Sequence, residues 1–139
     1  MKNILITGGA GFIGSNLTKK LVEKEYVVTI LDNLSEQIHG NYLESALYNS
    51  VKDISNFIKG DVRNKADWKK ALQGQNAVIH LAALSNDPLG EFSPELTHEI
   101  NTNGSVKLAE YARASGVKRF IFSSSQSMYG ISSLDNALE

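Results

Sequence analysis

Three serines, Ser123, Ser124 and Ser125, follow the apolar run "RFIF" near the end of the 139-residue chain. Hydroxyls at the carboxyl end of a buried strand are placed to meet a reacting group, although a serine triplet alone is equally a polar loop. A second cluster lies at the opposite end of the sequence. Gly8, Gly11 and Gly14 in "ITGGAGFIGS" directly follow one apolar run and open an amphipathic one. Glycine there serves a tight turn, close approach of a pyrophosphate to the backbone, and close packing of helix on strand. The helix amino terminus adds free N–H groups and the positive end of a dipole. The acid such a loop requires is Asp32, at the end of the next apolar run, placed to accept hydrogen bonds from an adenosine ribose.

Charge selects between the two forms of such a dinucleotide. Asp32 repels a 2′-phosphate, and no lysine or arginine occurs from Asn33 to Val51 to attract one. NAD is therefore expected in preference to NADP. No Lys-Ser or Lys-Thr follows the glycines, which excludes a nucleotide-hydrolysing P-loop. His39, His80 and His98 lack the spacing of a metal site, and His80, inside an apolar strand, reads as a satisfied core residue.

The elements that must position these groups are legible as alternation. Near-continuous apolar runs at 3–7, 27–32, 56–60, 77–83 and 119–124 read as strands of a parallel sheet covered on both faces. Helical spacing occupies 12–24, 64–73 and 93–115, and a helix is expected near 41–51. In the first helix Ile13, Leu17, Leu21 and Val22 form the apolar stripe. Ser93-Pro94 reads as a cap with proline at the first helical position, and Gly116 as a stop. Together these give an α/β fold, a Rossmann-type doubly wound parallel sheet of strand order 3-2-1-4-5, as one domain over 1–139.

Composition narrows the classes of partner. Fourteen basic and fifteen acidic residues leave a net charge of −1, which asks for neither nucleic acid nor an anionic membrane. The chain has no cysteine, no signal-like leader and no run near the ~18 apolar residues of a membrane span. A cytoplasmic location is expected.

The blocks "TGGAGFIG", "LDNLS", "GDVRN", "HLAALS", "NTNGSVKLAE" and "FSSSQSMYG" succeed one another in a fixed order. In this the chain resembles the extended short-chain dehydrogenase/reductase family, particularly its NAD-dependent nucleotide-sugar epimerases and dehydratases, over their amino-terminal, cofactor-binding part. The resemblance implies that the Phe12 and Ile13 amides line the pyrophosphate beside Gly8, Gly11 and Gly14. It implies that Asp32 and Asn33 meet the adenosine ribose and that Asp61 and Val62 touch the adenine edge. Leu81, Ala82 and Ala83 then flank the dinucleotide, Ser123 and Ser124 lie near the nicotinamide ribose, and Ser125 is the catalytic serine. Asn101 falls in the family's asparagine-containing helix block. Ser85 stands where some galactose epimerases carry lysine, a departure from that particular activity.

The family's chemistry also needs a tyrosine with a lysine four residues on, downstream of the serine strand. Tyr129 has Ser133 at that offset, and the Tyr48/Lys52 pair precedes the third strand and reads as coincidence. The true pair and the sugar-nucleotide region are expected beyond residue 139, so the chain reads as an inactive, truncated part of such an enzyme. Loss of those elements would leave the strand-five edge and helix 93–115 uncovered and open to a second copy. The alternative is a non-catalytic dinucleotide sensor of the same fold. A glycine-loop methyltransferase would leave "GDVRN" and "FSSSQSMYG" unexplained.

Overall fold

Apolar residues alternate along the central strands so that successive side chains feed two separate cores. The computed structural model describes residues 2–85 and 93–125. Its strands β1 (Asn3–Thr7), β2 (Val27–Asp32), β3 (Asn56–Lys59), β4 (Ala77–His80) and β5 (Arg119–Phe122) form one parallel sheet of order β3-β2-β1-β4-β5. The expected Rossmann-type order is thus observed. Ile4, Ile6, Val28 and Ile30 project into one core, beneath α1 (Phe12–Glu23) and the segment containing α2 (Glu36–His39) and α3 (Ala46–Asn49). Leu5, Leu31 and Val78 project into the other, with Trp68 and Ala71 of α4 (Lys65–Ala71). Past β4 come α5 (Pro94–Thr97), a π-helical stretch (His98–Gly104) and α6 (Ser105–Ala114), which adds Leu108 and Ala112 to that second core.

Register aligns the carboxyl ends of the strands. Thr7 pairs with Leu31 on one side and His80 on the other, and His80 pairs with Phe122. The ladder continues one residue further: Gly8 N–H donates to the Leu31 carbonyl, Leu81 N–H to Thr7, Ser123 N–H to His80 and Gly60 N–H to Asp32. Every residue singled out for chemistry therefore leaves the sheet at the same level. The strand order reverses between β1 and β4, and a crevice opens at that switch point.

Several expected boundaries are corrected. Strands β3, β4 and β5 stop at residues 59, 80 and 122, where the chain turns into the crevice. The helix expected near 41–51 is only the short α3, started where the Ser45 hydroxyl accepts the Tyr48 N–H, and a separate α2 precedes that range and ends at Gly40 (φ +57°). The third long helix is interrupted by the π-helical stretch, and Pro94 begins it without a side-chain cap from Ser93. Ile13 leaves the expected stripe and is 64% exposed. Gly14, Ser15 and Thr18 are the buried residues of α1, so the helix rests on small side chains and Ile13 is carried out to the crevice. Nor is every strand covered: on β5, Ile121 and Phe122 are 52% and 54% exposed.

The close seat of α1 leaves a buried polar atom. The Thr18 hydroxyl has no hydrogen-bond partner among the described residues, although Thr18 is fully buried. Thr18→Val keeps the shape and removes the orphaned hydroxyl, so urea unfolding is expected to show a gain of about 1 kcal/mol. A loss of similar size would mean that the hydroxyl is satisfied in solution.

Candidate functional site

The crevice is a cleft of about 1190 Å³, and the first turn past β1 forms its floor. Gly8 adopts φ +71°, and a Cβ there would stand 2.8 Å from the Ala82 backbone nitrogen. No other residue fits that turn without pushing β4's continuation away. A Cβ on Gly14 would collide with the Gly8 carbonyl, so the third glycine serves packing within the loop. Gly11 caps α1 with extended backbone, and no side chain occupies the cap, which leaves the first-turn N–H groups of Phe12 and Ile13 in the cleft wall. Gly9, unremarked in the sequence, is required by Ile30, whose Cγ1 would lie 2.7 Å from its Cβ.

Asp32 is buried and holds two loops at once. Its Oδ2 accepts the Ala10 N–H at 3.0 Å, and its Oδ1 accepts the Leu34 N–H at 2.9 Å. Each oxygen keeps a lone pair for a further donor from the cleft. Asp61 is engaged differently. It accepts from the backbone N–H and Nε of Arg63 at 2.8 and 2.9 Å, and from Nη2 at 2.7 Å. These Arg63 hydrogen bonds hold the Asp61 carboxyl below the usual carboxylate range, and the guanidinium is raised in turn. Arg63 also reaches Glu99 at 3.7 Å. Asp67 on α4 pins the same turn by accepting the Asp61 N–H at 2.9 Å.

The structure brings every expected site position to this one cleft: Gly8, Gly11, Phe12, Ile13, Gly14, Asp32, Asn33, Asp61, Val62, Leu81, Ala82, Ala83, Ser123, Ser124 and Ser125. Tyr48 is elsewhere, edge-on to Tyr42 and Phe57 in the α1-side core, with Lys52 Nζ 5.8 Å from its ring centre. Tyr129 lies outside the described residues. Among the described residues no His, Cys, Asp and Glu cluster suits a metal ion, and no helix is long and apolar enough to cross a membrane.

What the sequence did not reveal is the support beneath the cleft. His80 is buried between Thr7 Oγ1, 2.5 Å from its Nδ1, and Ser105 Oγ, 2.7 Å from its Nε2. The Phe120 and Phe122 rings lie 6.0 and 5.9 Å away on the same face. Asn101 reads the loop after β4 with both ends of its amide, accepting the Leu84 N–H and donating to the Leu84 carbonyl, each at 2.8 Å. The Asn101/Ser105 spacing of four residues was the one available signal, since it places both side chains on one helical face.

A parallel sheet of this order, with a glycine turn, a helix amino terminus and a buried acid at its switch point, defines a Rossmann-type domain. Comparison with known proteins carries this to a family. Residues 4–137 match the NAD dependent epimerase/dehydratase family, and the chain belongs to it. It is 36% identical over 129 residues to the UDP-glucose 4-epimerase of Klebsiella pneumoniae, covering 91% of each chain. Among solved structures it resembles the UDP-N-acetylglucosamine 4-epimerase of Methanobrevibacter ruminantium, in complex with UDP-N-acetylmuramic acid, with 36% identity and a TM-score of 0.82. It also resembles the Thermus thermophilus UDP-glucose 4-epimerase, in complex with NAD, with 29% identity and the same TM-score of 0.82. The chain is covered over 99% in both comparisons but spans 42% of either solved enzyme.

Burial pushes His80 down to a pKa of about 4, against 6.5 for a free imidazole. The unfolded chain therefore takes up this proton first as pH falls. The stabilisation is complete above about pH 6.5 and is lost progressively toward pH 4, on the order of 3 kcal/mol in all. Urea unfolding at pH 7.0 and 4.5 is expected to show about 2 kcal/mol of that loss, and the His80→Gln variant to lose most of the dependence. A wild-type stability flat across the interval would contradict it.

Proposed function

We propose that this chain is the NAD-binding part of a nucleotide-sugar epimerase or dehydratase. Family membership and the solved enzymes it resembles support the class. The observation that carries the cofactor is the joint placement, in one cleft, of a backbone approach too close for any Cβ at Gly8, unused N–H groups at Phe12 and Ile13, and the Asp32 carboxylate. Those groups fit a pyrophosphate and an adenosine ribose. Asn33 joins Asp32 at the ribose, while Asp61 and Val62 border the adenine. Leu81, Ala82 and Ala83 flank the passage toward the nicotinamide, whose ribose lies near Ser123 and Ser124. NAD, when bound, supplies a reversible hydride acceptor. Ser125 hydrogen-bonds the substrate hydroxyl and its keto form.

NAD is preferred over NADP on charge. Among the described residues lining the cleft, Arg63 is the one guanidinium, and it is already held by Asp61 and Glu99. A 2′-phosphate would meet Asp32 with no unpaired cation among the described lining residues to offset it. Residues downstream of Ser125 in this sequence contain no tyrosine followed four residues later by lysine. The 139-residue chain alone is accordingly expected to turn over no nucleotide sugar. A purely sensing role does not call for Ser125 beside the nicotinamide. Pairing of a second copy on the β5 edge, beside the exposed Ile121 and Phe122, would raise the mass seen by light scattering at high concentration.

Calorimetric titration with NAD, NADP and S-adenosylmethionine tests the cofactor. NAD is expected to bind with the highest affinity, NADP at least tenfold more weakly from the charge clash, and S-adenosylmethionine not at all. Binding of S-adenosylmethionine without NAD would overturn the assignment. Asp32→Ala is expected to narrow the gap between NAD and NADP, and an unchanged gap would remove Asp32 from that role.

A further inference from the structure

Neither His80 nor Thr7 lines the cleft, yet both are fully buried directly beneath it and tied to residues that do. Four hydrogen bonds run through them. The Ala82 N–H donates to Thr7 Oγ1 at 3.3 Å, Thr7 Oγ1 meets His80 Nδ1, His80 Nε2 meets Ser105 Oγ, and Ser105 Oγ donates to the Asn101 carbonyl at 2.8 Å. A hydroxyl has one proton, and that of Ser105 is committed to Asn101. With its proton on the Asn101 carbonyl, Ser105 accepts from His80, and Nε2 then carries the imidazole proton. With the ring neutral, Nδ1 is bare and accepts the Thr7 hydroxyl. Each donor is used once and the relay has a single direction, from the Ala82 amide to the Asn101 carbonyl.

We infer that His80 is a positioning residue: in its neutral Nε2–H tautomer it joins β1, β4 and the π-helical turn, and so sets the Leu81–Ser85 segment at the height where it borders the cofactor cleft. One arm, through Thr7, holds the Ala82 amide beside Gly8, where an added Cβ would stand 2.8 Å from the Ala82 nitrogen. The other, through Ser105, holds the backbone of Asn101, whose side-chain amide grips both polar groups of Leu84. Protonated imidazole would donate on both sides, leaving the Thr7 hydroxyl without an acceptor and loosening the first arm. The groups facing the ring are uncharged: Thr7 from β1, Ser105 from α6, and Phe120 and Phe122 from β5. The affinity consequence rests on the NAD reading above; the tautomer and the two arms do not.

The test uses the 139-residue chain and two variants that each keep half of the imidazole. His80→Asn retains an acceptor near the Nδ1 position, and His80→Gln a donor near the Nε2 position. In wild type, imidazole nitrogen shifts are expected to show a neutral ring with the proton on Nε2. Amide hydrogen exchange is expected to cross over: His80→Gln frees Ala82 while sparing Leu84, and His80→Asn frees Leu84 while sparing Ala82. Both variants are expected to weaken NAD binding about tenfold. An Nδ1–H tautomer in wild type overturns the relay even if both variants fail to fold. So does exchange that rises uniformly across the sheet, as a purely structural lesion would give. Wild-type protein that binds no NAD would instead sink the cofactor assignment, with the shifts and exchange still deciding the relay.

Discussion

Everything at the carboxyl end of this sheet depends on how closely the backbone at Gly8 approaches the backbone at Ala82. That contact exists because β1 and β4 are neighbours in register, with Thr7 opposite His80. It closes the floor of the crevice with main chain, and the Gly8 and Ala82 N–H groups there are already donated to the Leu31 carbonyl and Thr7 Oγ1. The same tight turn lowers α1 onto the sheet through Gly14, Ser15 and Thr18 and aims the helix amino terminus into the opening. A larger residue at Gly8 would separate the strands and tilt the helix together. Fold and site are therefore one constraint here, expressed twice.

The charges around the crevice differ in how far the fold itself engages them. Asp32 spends one lone pair of each oxygen on its own loops and keeps the rest for the cleft. Asp61, by contrast, takes three donors from Arg63, which in turn reaches Glu99. Among the described residues lining the cleft, the one guanidinium is thus paired in place, and the α1 amino terminus adds the positive end of its dipole to the same wall. Beneath this surface, His80 is kept uncharged by burial, and its two hydroxyl partners make a directed link instead of an ion pair.

Much of the fold was legible because it is written in local patterns. Apolar runs separated by amphipathic segments gave five strands in the observed order, and the glycines, Asp32 and the serines stand where the alternation of elements put them. Other features escaped because they arise through space. Ile13 satisfies helical periodicity, but the small face of α1 seats the helix closer than a leucine stripe would, and Ile13 is turned outward. Only one turn, α3, forms within the 41–51 segment where a helix was expected, and a separate turn, α2, ends before it at Gly40. No local pattern links Thr7 to His80 across 73 residues, or His80 to Ser105 across 25. His80 was legible as a satisfied core residue, but what satisfies it was not. Nor does sequence spacing announce the π-helical stretch, from which Asn101 reaches across to Leu84.

Mapping amide shifts of the isotopically labelled chain on addition of NAD tests the central claim most directly, because it reads every backbone position at once. The expected result is a contiguous set of shifted amides at Gly8, Gly11, Phe12, Ile13, Asn33, Val62 and Ala82, with Tyr26 and Asp53–Asn56 at the opposite edge of the sheet unmoved. Shifts confined to that opposite edge, or no shifts at saturating NAD, would contradict the assignment of this crevice as the cofactor site.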